Sequence, residues 1–272
     1  MKPLSIEDAY LWAQRFVARE WKLILPVALA FMALPPLMLD LLIPQSAWAM
    51  LTTATQTKNA AAAMSTLAWL VPLQLIVLLF ATAGGLAITA LALQPAISVG
   101  EALALALRRL GVLIGAVLLL LAGALLLALA VGMIAASARL GPAIIQSLLT
   151  GALAGIALFI GARLIPLVPL IVRRRVGPVS AIRESWLMTE GASWRIFAAI
   201  VIYFIGAMVV MLALSTGVGA ILLLIGKAAG LPELGLVLVA VFERSLAALI
   251  GAGSSLLAAG LFRQLDNGTR GT

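Results

Sequence analysis

Long apolar stretches alternate with short polar ones along this chain. A helix needs about 20 apolar residues to cross the hydrocarbon core of a bilayer. Six stretches reach that length, roughly residues 21–42, 65–93, 110–136, 143–172, 196–224 and 235–262. Several exceed it, which predicts tilt, kinking or protrusion. Spanning β-strands would alternate apolar with polar residues, whereas runs such as 117–121 are apolar throughout. The pattern predicts an all-α polytopic membrane helical bundle with about six transmembrane helices, forming one integral membrane domain over residues 1–272.

A second pattern lies between the stretches. Leu4-Ser5-Ile6-Glu7-Asp8-Ala9, Ile97-Ser98-Val99-Gly100-Glu101-Ala102 and Val176-Gly177-Pro178-Val179-Ser180-Ala181 each precede an odd-numbered span. Ser5 with Asp8 and Ser98 with Glu101 have capping-box spacing, which satisfies free amides at a helix start. The first and third segments meet the membrane with Arg19-Glu20-Trp21-Lys22 and Ser193-Trp194-Arg195. Tryptophan beside a cation anchors a span at its interface, so Trp21, Trp186, Trp194 and Arg195 are candidate anchors. In the first segment Ile6, Tyr10, Ala13, Val17 and Trp21 share one helical face and Asp8, Arg15, Arg19 and Lys22 the opposite one; Trp12 falls on the polar side and breaks the pattern. Such a helix is expected to lie in the interface plane. The whole reads as three repeats of an interfacial helix followed by a two-span hairpin, giving three cytoplasmic-side interfacial helices.

Composition sharpens this picture. Of 272 residues, 64% are hydrophobic and 10% charged, with a mean hydropathy of +1.20, so polar surface is too scarce to clothe a soluble fold. Residues 1–22 are too polar for a secretory signal. Cysteine and histidine are both absent, which removes thiolate chemistry, the commonest general base and the commonest metal ligand. No phosphate-cradling loop or nucleophile–base pair is present, so neither a cofactor, a metal nor an enzymatic activity is expected.

The net charge of +8 reports orientation rather than nucleic acid binding. Thirteen Lys and Arg residues, among them Lys2, Arg15, Arg108, Arg173, Arg195, Arg263 and Arg270, fall on one side of the six spans. Three, Lys58, Arg139 and Lys227, fall on the other. Positively charged loops stay in the cytoplasm, so both termini are expected there. The outer loop at 44–64 is Ala/Thr-rich and expected to be partly helical.

Residues 163–195 carry the most specific motif: Arg163, Pro166 and Pro169, the basic turn Arg173-Arg174-Arg175, then Ser185-Trp186-Leu187-Met188-Thr189-Glu190-Gly191 through Trp194-Arg195. This resembles the membrane-domain family named after glycerophosphoryl diester phosphodiesterases, in which a span with Arg and Pro precedes a basic turn and a Ser-Trp-x-Leu-Thr-x-Gly-x-x-Trp-Arg stretch. Met188 departs from the leucine of that pattern. The tail Leu261-Phe262-Arg263-Gln264-Leu265 is similar to the end of the family's last span. The resemblance implies a membrane module standing alone, because the family's catalytic barrel uses histidines this chain lacks. It also implies a bacterial inner membrane.

Arg163, Glu243 and Arg244 are the charges most embedded in apolar sequence. Intramembrane charges are candidate functional groups, although each also fits an interfacial position from which arginine can snorkel. Asp40, near the outer end of the first span, is a candidate partner for Arg244. Arg173, Arg174, Arg175 and Arg183 are candidates either for holding anionic lipid headgroups or for fixing orientation alone. Pro166 and Pro169 are expected to kink the fourth span, and the small-residue patches at Gly84-Gly85 and Gly251–Ser255 to pack helices closely. Three function classes remain: a non-enzymatic bundle that binds or organises membrane lipid and supports envelope homeostasis, a transporter or translocator of a lipid or other amphiphile, and, with least support, an enzyme.

Overall fold

The computed structural model describes residues 5–43, 60–137, 147, 151, 160, 161 and 163–270. Among them all regular structure is helical. Helix α1 (Ile6–Ala28) runs through a π-helical turn (Leu29–Ala33) into α2 (Leu34–Leu42). There follow α3 (Ala60–Leu93), α4 (Val99–Ser137), α5 (Leu167–Arg173), α6 (Pro178–Met188), α7 (Ser193–Ala228) and α8 (Pro232–Arg270). Five helical stretches are long and apolar enough to span a bilayer: Ile6–Leu42, Ala68–Leu93, Val99–Ile134, Ser193–Ala228 and Pro232–Asn267. The fourth expected span, at 143–172, and the outer loop at 44–64 lie largely outside the described residues.

The three repeated segments start helices in matching register. Ser5 caps α1, accepting from the Asp8 amide at 3.2 Å. Ser98 and Glu101 form the reciprocal box at the start of α4: the Ser98 amide donates to the Glu101 carboxylate at 2.8 Å, and the Glu101 amide donates to Ser98 Oγ at 3.3 Å. Gly177 precedes α6, with Pro178 in its first turn. Each first helical hydrogen bond is then made by the alanine four residues on, from Ala9 to Ser5, Ala102 to Ser98 and Ala181 to Gly177. All three alanines are fully buried.

The junctions into the spans differ. At Glu20 the backbone leaves helical geometry (φ −114°, ψ 19°), which kinks α1 ahead of Trp21. Four turn residues separate α6 from α7, where Gly191 takes φ +78°, a conformation glycine adopts without a Cβ clash. In the second repeat there is no junction, since α4 runs unbroken for 39 residues. At 1.5 Å per residue such a helix is about 58 Å long, nearly twice the hydrocarbon core. Glu101 to Arg109 therefore form no separate short helix; the Ala/Leu sequence there contains no Gly, Pro or turn residue to break it.

The buried face of α1 also differs from the one read in the sequence. Ile6, Tyr10 and Ala13 pack inward as expected, joined by Ala9, Trp12 and Phe16, whereas Val17 and Trp21 are exposed. Gly260 on α8 is the physical reason: a Cβ there would meet the Trp12 ring at 2.9 Å and the Ala9 carbonyl at 3.1 Å. The absence of that Cβ admits the indole that periodicity alone assigned to the polar side. Within the spans, the π turn precedes Pro35 and Pro36, which offer no backbone donors. It places Met32 between Gly84 and Gly251, where added Cβ atoms would approach its side chain to 3.0 and 2.6 Å.

Candidate functional site

The motif-bearing region centres on a broken helix. Residues 163 and 164 are helical, Ile165 and Pro166 form a turn, and α5 begins at Leu167. The break thus falls at Pro166; Pro169 sits inside α5. Carbonyls before such a break need new donors, and α6 supplies one: the buried Ser185 hydroxyl donates to the Arg163 carbonyl at 2.8 Å. Arg163 in turn donates from Nη1 to the Trp186 carbonyl at 3.4 Å and lies over the Trp186 ring, 4.7 Å from its centroid. The side chain is thereby turned toward α6.

The basic turn is laid out unevenly. Arg174 donates to Glu184 at 2.8 Å and to Asp266 at 2.9 Å, and Arg173 stands 3.8 Å from Asp266. Burial opposes the Arg174 charge, but hydrogen bonds and attraction from Asp266 and Glu184 outweigh it and raise its pKa. Arg175 and Arg183 are exposed. Asp266, only 2% exposed, was not legible as a partner, because nothing in the sequence brings a carboxylate of α8 beside residues more than ninety positions earlier. Gln264, two residues before it, pairs reciprocally with the Ser5 backbone, both contacts at 2.9 Å. That contact joins the two described chain ends.

Beside this cluster opens a groove of about 650 Å³. Arg19, Arg173 and Arg263 rim it, while Phe16, Ile24 and Leu93 contribute apolar floor. Arg19 donates to Glu20 at 2.9 Å. Arg263 lies over the Trp12 ring at 4.9 Å, and no carboxylate pairs with it among the described residues. Sequence reasoning counted Arg19 and Arg263 only as topological charges; the convergence of α1, the end of α3, Arg173 and α8 made them neighbours.

A second groove, also about 650 Å³, lies between the broken helix, α7 and α8. Its lining includes Leu164, Ile165, Phe197, Ile200 and Phe204. The hydroxyls there donate to helix carbonyls: Thr89 to Gly85, Ser254 and Ser255 to Gly251, and Tyr203 to Ile250.

The remaining candidates lie elsewhere. Arg244 on α8 donates to Asp40 on α2 from Nε and from Nη2. Glu243 is half-buried next to it and points away from Arg244, as consecutive helical residues do. Trp194, 76% exposed, stacks on Phe197 with centroids 5.4 Å apart, and Arg195 is exposed beside it. Among the described residues no group of three or more His, Cys, Asp or Glu could hold a metal ion.

No curated protein and no solved structure matches the chain. Residues 140–262 match the family described as the membrane domain of glycerophosphoryl diester phosphodiesterase, so the resemblance read from residues 163–195 holds, and with five long apolar helices among the described residues the chain is a multi-pass membrane protein.

Proposed function

We propose that this is a non-enzymatic protein of the bacterial inner membrane that binds and organises anionic membrane lipid, with six spans and both termini in the cytoplasm. The observation that carries the reading is the groove rimmed by Arg19, Arg173 and Arg263 above an apolar floor. A headgroup phosphate and the first carbons of an acyl chain need those two surfaces side by side. The thirteen-to-three bias of Lys and Arg supports the orientation. The Ser5–Gln264 contact supports an even number of crossings, because it holds both described chain ends at one end of the bundle.

The alternative, a translocator of a lipid or other amphiphile, calls for a polar-lined path. The second groove is mainly apolar, and its hydroxyl protons are spent on backbone carbonyls, which favours a peripheral lipid-holding surface. Native mass spectrometry of the full chain, released from mixed zwitterionic and anionic lipid, tests the proposal. Selective retention of anionic lipid is expected, and indifference to headgroup charge overturns it. Reporter fusions at both termini test the topology; an external signal at either end overturns the six-span arrangement.

A further inference from the structure

The groove draws its rim from corresponding places in the three repeats. Gln94 stands three residues before Ile97, and Arg173 stands three residues before Val176, the first residues of the second and third repeated segments. Arg263 closes the third hairpin. It follows the buried pair Leu261-Phe262 as Arg173 follows the buried pair Ile171-Val172. All three line the same cavity. Packing between the repeats completes the ring: α1 packs on α8, α4 on α3, and α6 on α5. Each repeat thus covers the end of the preceding hairpin, and the first covers the end of the last. The groove is the point where the three hairpin ends converge.

Charge at this point is nearly balanced. Arg19 is matched by Glu20, and Arg173 and Arg174 by Asp266 and Glu184. Among the described residues these four guanidiniums, counting Arg263, against three carboxylates leave one positive charge, and Arg263 is the one that none of these ion pairs includes. Arg263, although exposed, lies over the Trp12 ring, which reduces the side-chain freedom to be lost on binding a ligand. Arg173, at 3.8 Å from its carboxylate, is beyond hydrogen-bond distance and keeps donors to offer.

Resting on the lipid-binding reading above, we propose that the groove is one composite headgroup site on this internal threefold arrangement. Its ligand is a lipid whose headgroup carries a single negative charge on a phosphodiester, and Arg263 and Arg173 clamp the phosphate. One charge matches one charge. The apolar side chains among the lining favour a lipid over a soluble phosphodiester.

The test uses the full chain in nanodiscs of phosphatidylcholine doped with phosphatidylglycerol or with phosphatidate, read by native mass spectrometry. Phosphatidylglycerol is expected to be retained over both other lipids. The Arg173→Gln/Arg263→Gln variant should weaken that retention by about fivefold per arginine, while Arg108→Gln/Arg109→Gln, whose residues lie outside the groove, should leave it unchanged. Arg263→Lys keeps the charge and loses the planar fork, so it should fold as the parent does and bind less tightly. Glycerophosphoglycerol, the soluble counterpart, should not compete. If the parent retains no anionic lipid, the functional reading itself fails. If it retains phosphatidylglycerol equally well with and without Arg173 and Arg263, that reading stands and the composite site is wrong. Preference for phosphatidate, or competition by the soluble diester, also overturns the proposal.

Discussion

Arg244 and Asp40 stand 204 residues apart in the chain and meet through two hydrogen bonds, 2.5 Å from Nε and 2.9 Å from Nη2. The planar guanidinium matches the two carboxylate oxygens, a geometry that lysine cannot reproduce. The pair ties α2 to α8 at the end of the bundle away from the Ser5–Gln264 contact. Removing either partner strands the other charge among apolar helices. Arg244→Leu or Asp40→Leu should therefore lower stability by more than the roughly 1 kcal/mol of an exposed pair and less than the about 3–5 kcal/mol of a fully buried one. The double variant should be milder than the sum of the singles. Thermal unfolding in detergent checks this, and strictly additive losses count against a coupled pair.

Overpacking tests the repeat. Ala9, Ala102 and Ala181 occupy one position in three segments and are all fully buried, so each abuts neighbours that leave no room for a longer side chain. Leucine at any of them should cost about 1–3 kcal/mol. Ala104→Leu, at an exposed position of α4, should cost little. The same thermal assay reads both, and three silent substitutions would mean the matching register carries no shared packing role.

Much of this architecture is legible from periodicity and spacing, because membrane helices advertise themselves through length and apolarity, and caps through their side-chain chemistry. Ser5, Ser98 and Glu101 announce the helix starts they form, and Pro166 the break. Three things are not legible. Trp12 faces inward only because Gly260, two hundred and more residues away in sequence, leaves a hollow for it. Asp266 meets Arg174 only through the closing of the bundle. The fusion of the second repeat into one long helix reflects an absence of breaking residues, a weaker signal than their presence. Candidate chemistry was harder to read than fold for the same reason: a groove is made by residues distant in sequence, and composition shows Arg19, Arg173 and Arg263 only as three basic residues among eighteen.

The capping box at the start of α4 predicts a pH dependence. The Ser98 amide, and secondarily its hydroxyl, hold the Glu101 carboxyl below its ordinary pKa. A carboxyl depressed in the folded state stabilises that state above its unfolded pKa, and the stabilisation disappears as pH falls through the lower, folded value. The start of α4 should therefore loosen on acidification through and below the usual carboxylate range, seen as faster amide exchange at residues 99–103. Glu101→Gln should remove that dependence. Persistence of the same acid response in the variant would assign it to another group.

The break at Pro166 yields the last prediction. The chain turns at Ile165–Pro166, and the donor that serves the Arg163 carbonyl comes from Ser185 on α6 at 2.8 Å. Ser185 is itself fully buried, so water is a poor substitute. Thr189, also fully buried, donates to the Ser185 and Trp186 carbonyls at 3.1 and 3.0 Å, and Arg163 shares the Trp186 carbonyl. The Ser185 hydroxyl thus joins α6 to the broken helix, and Thr189 braces the α6 carbonyl of Trp186 that Arg163 also uses. Ser185→Ala removes one donor and leaves a buried carbonyl short of a partner, a loss of about 1–3 kcal/mol. Thr189→Val keeps the shape but not the donor and should cost less, since the helix can still serve its carbonyls. Because both act on the same neighbours, the double variant should depart from additivity by at least about 0.5 kcal/mol. Thermal unfolding of the four proteins measures the cycle. Additive losses would mean that the Ser185 contact to the broken helix and the Thr189 contacts within α6 act independently.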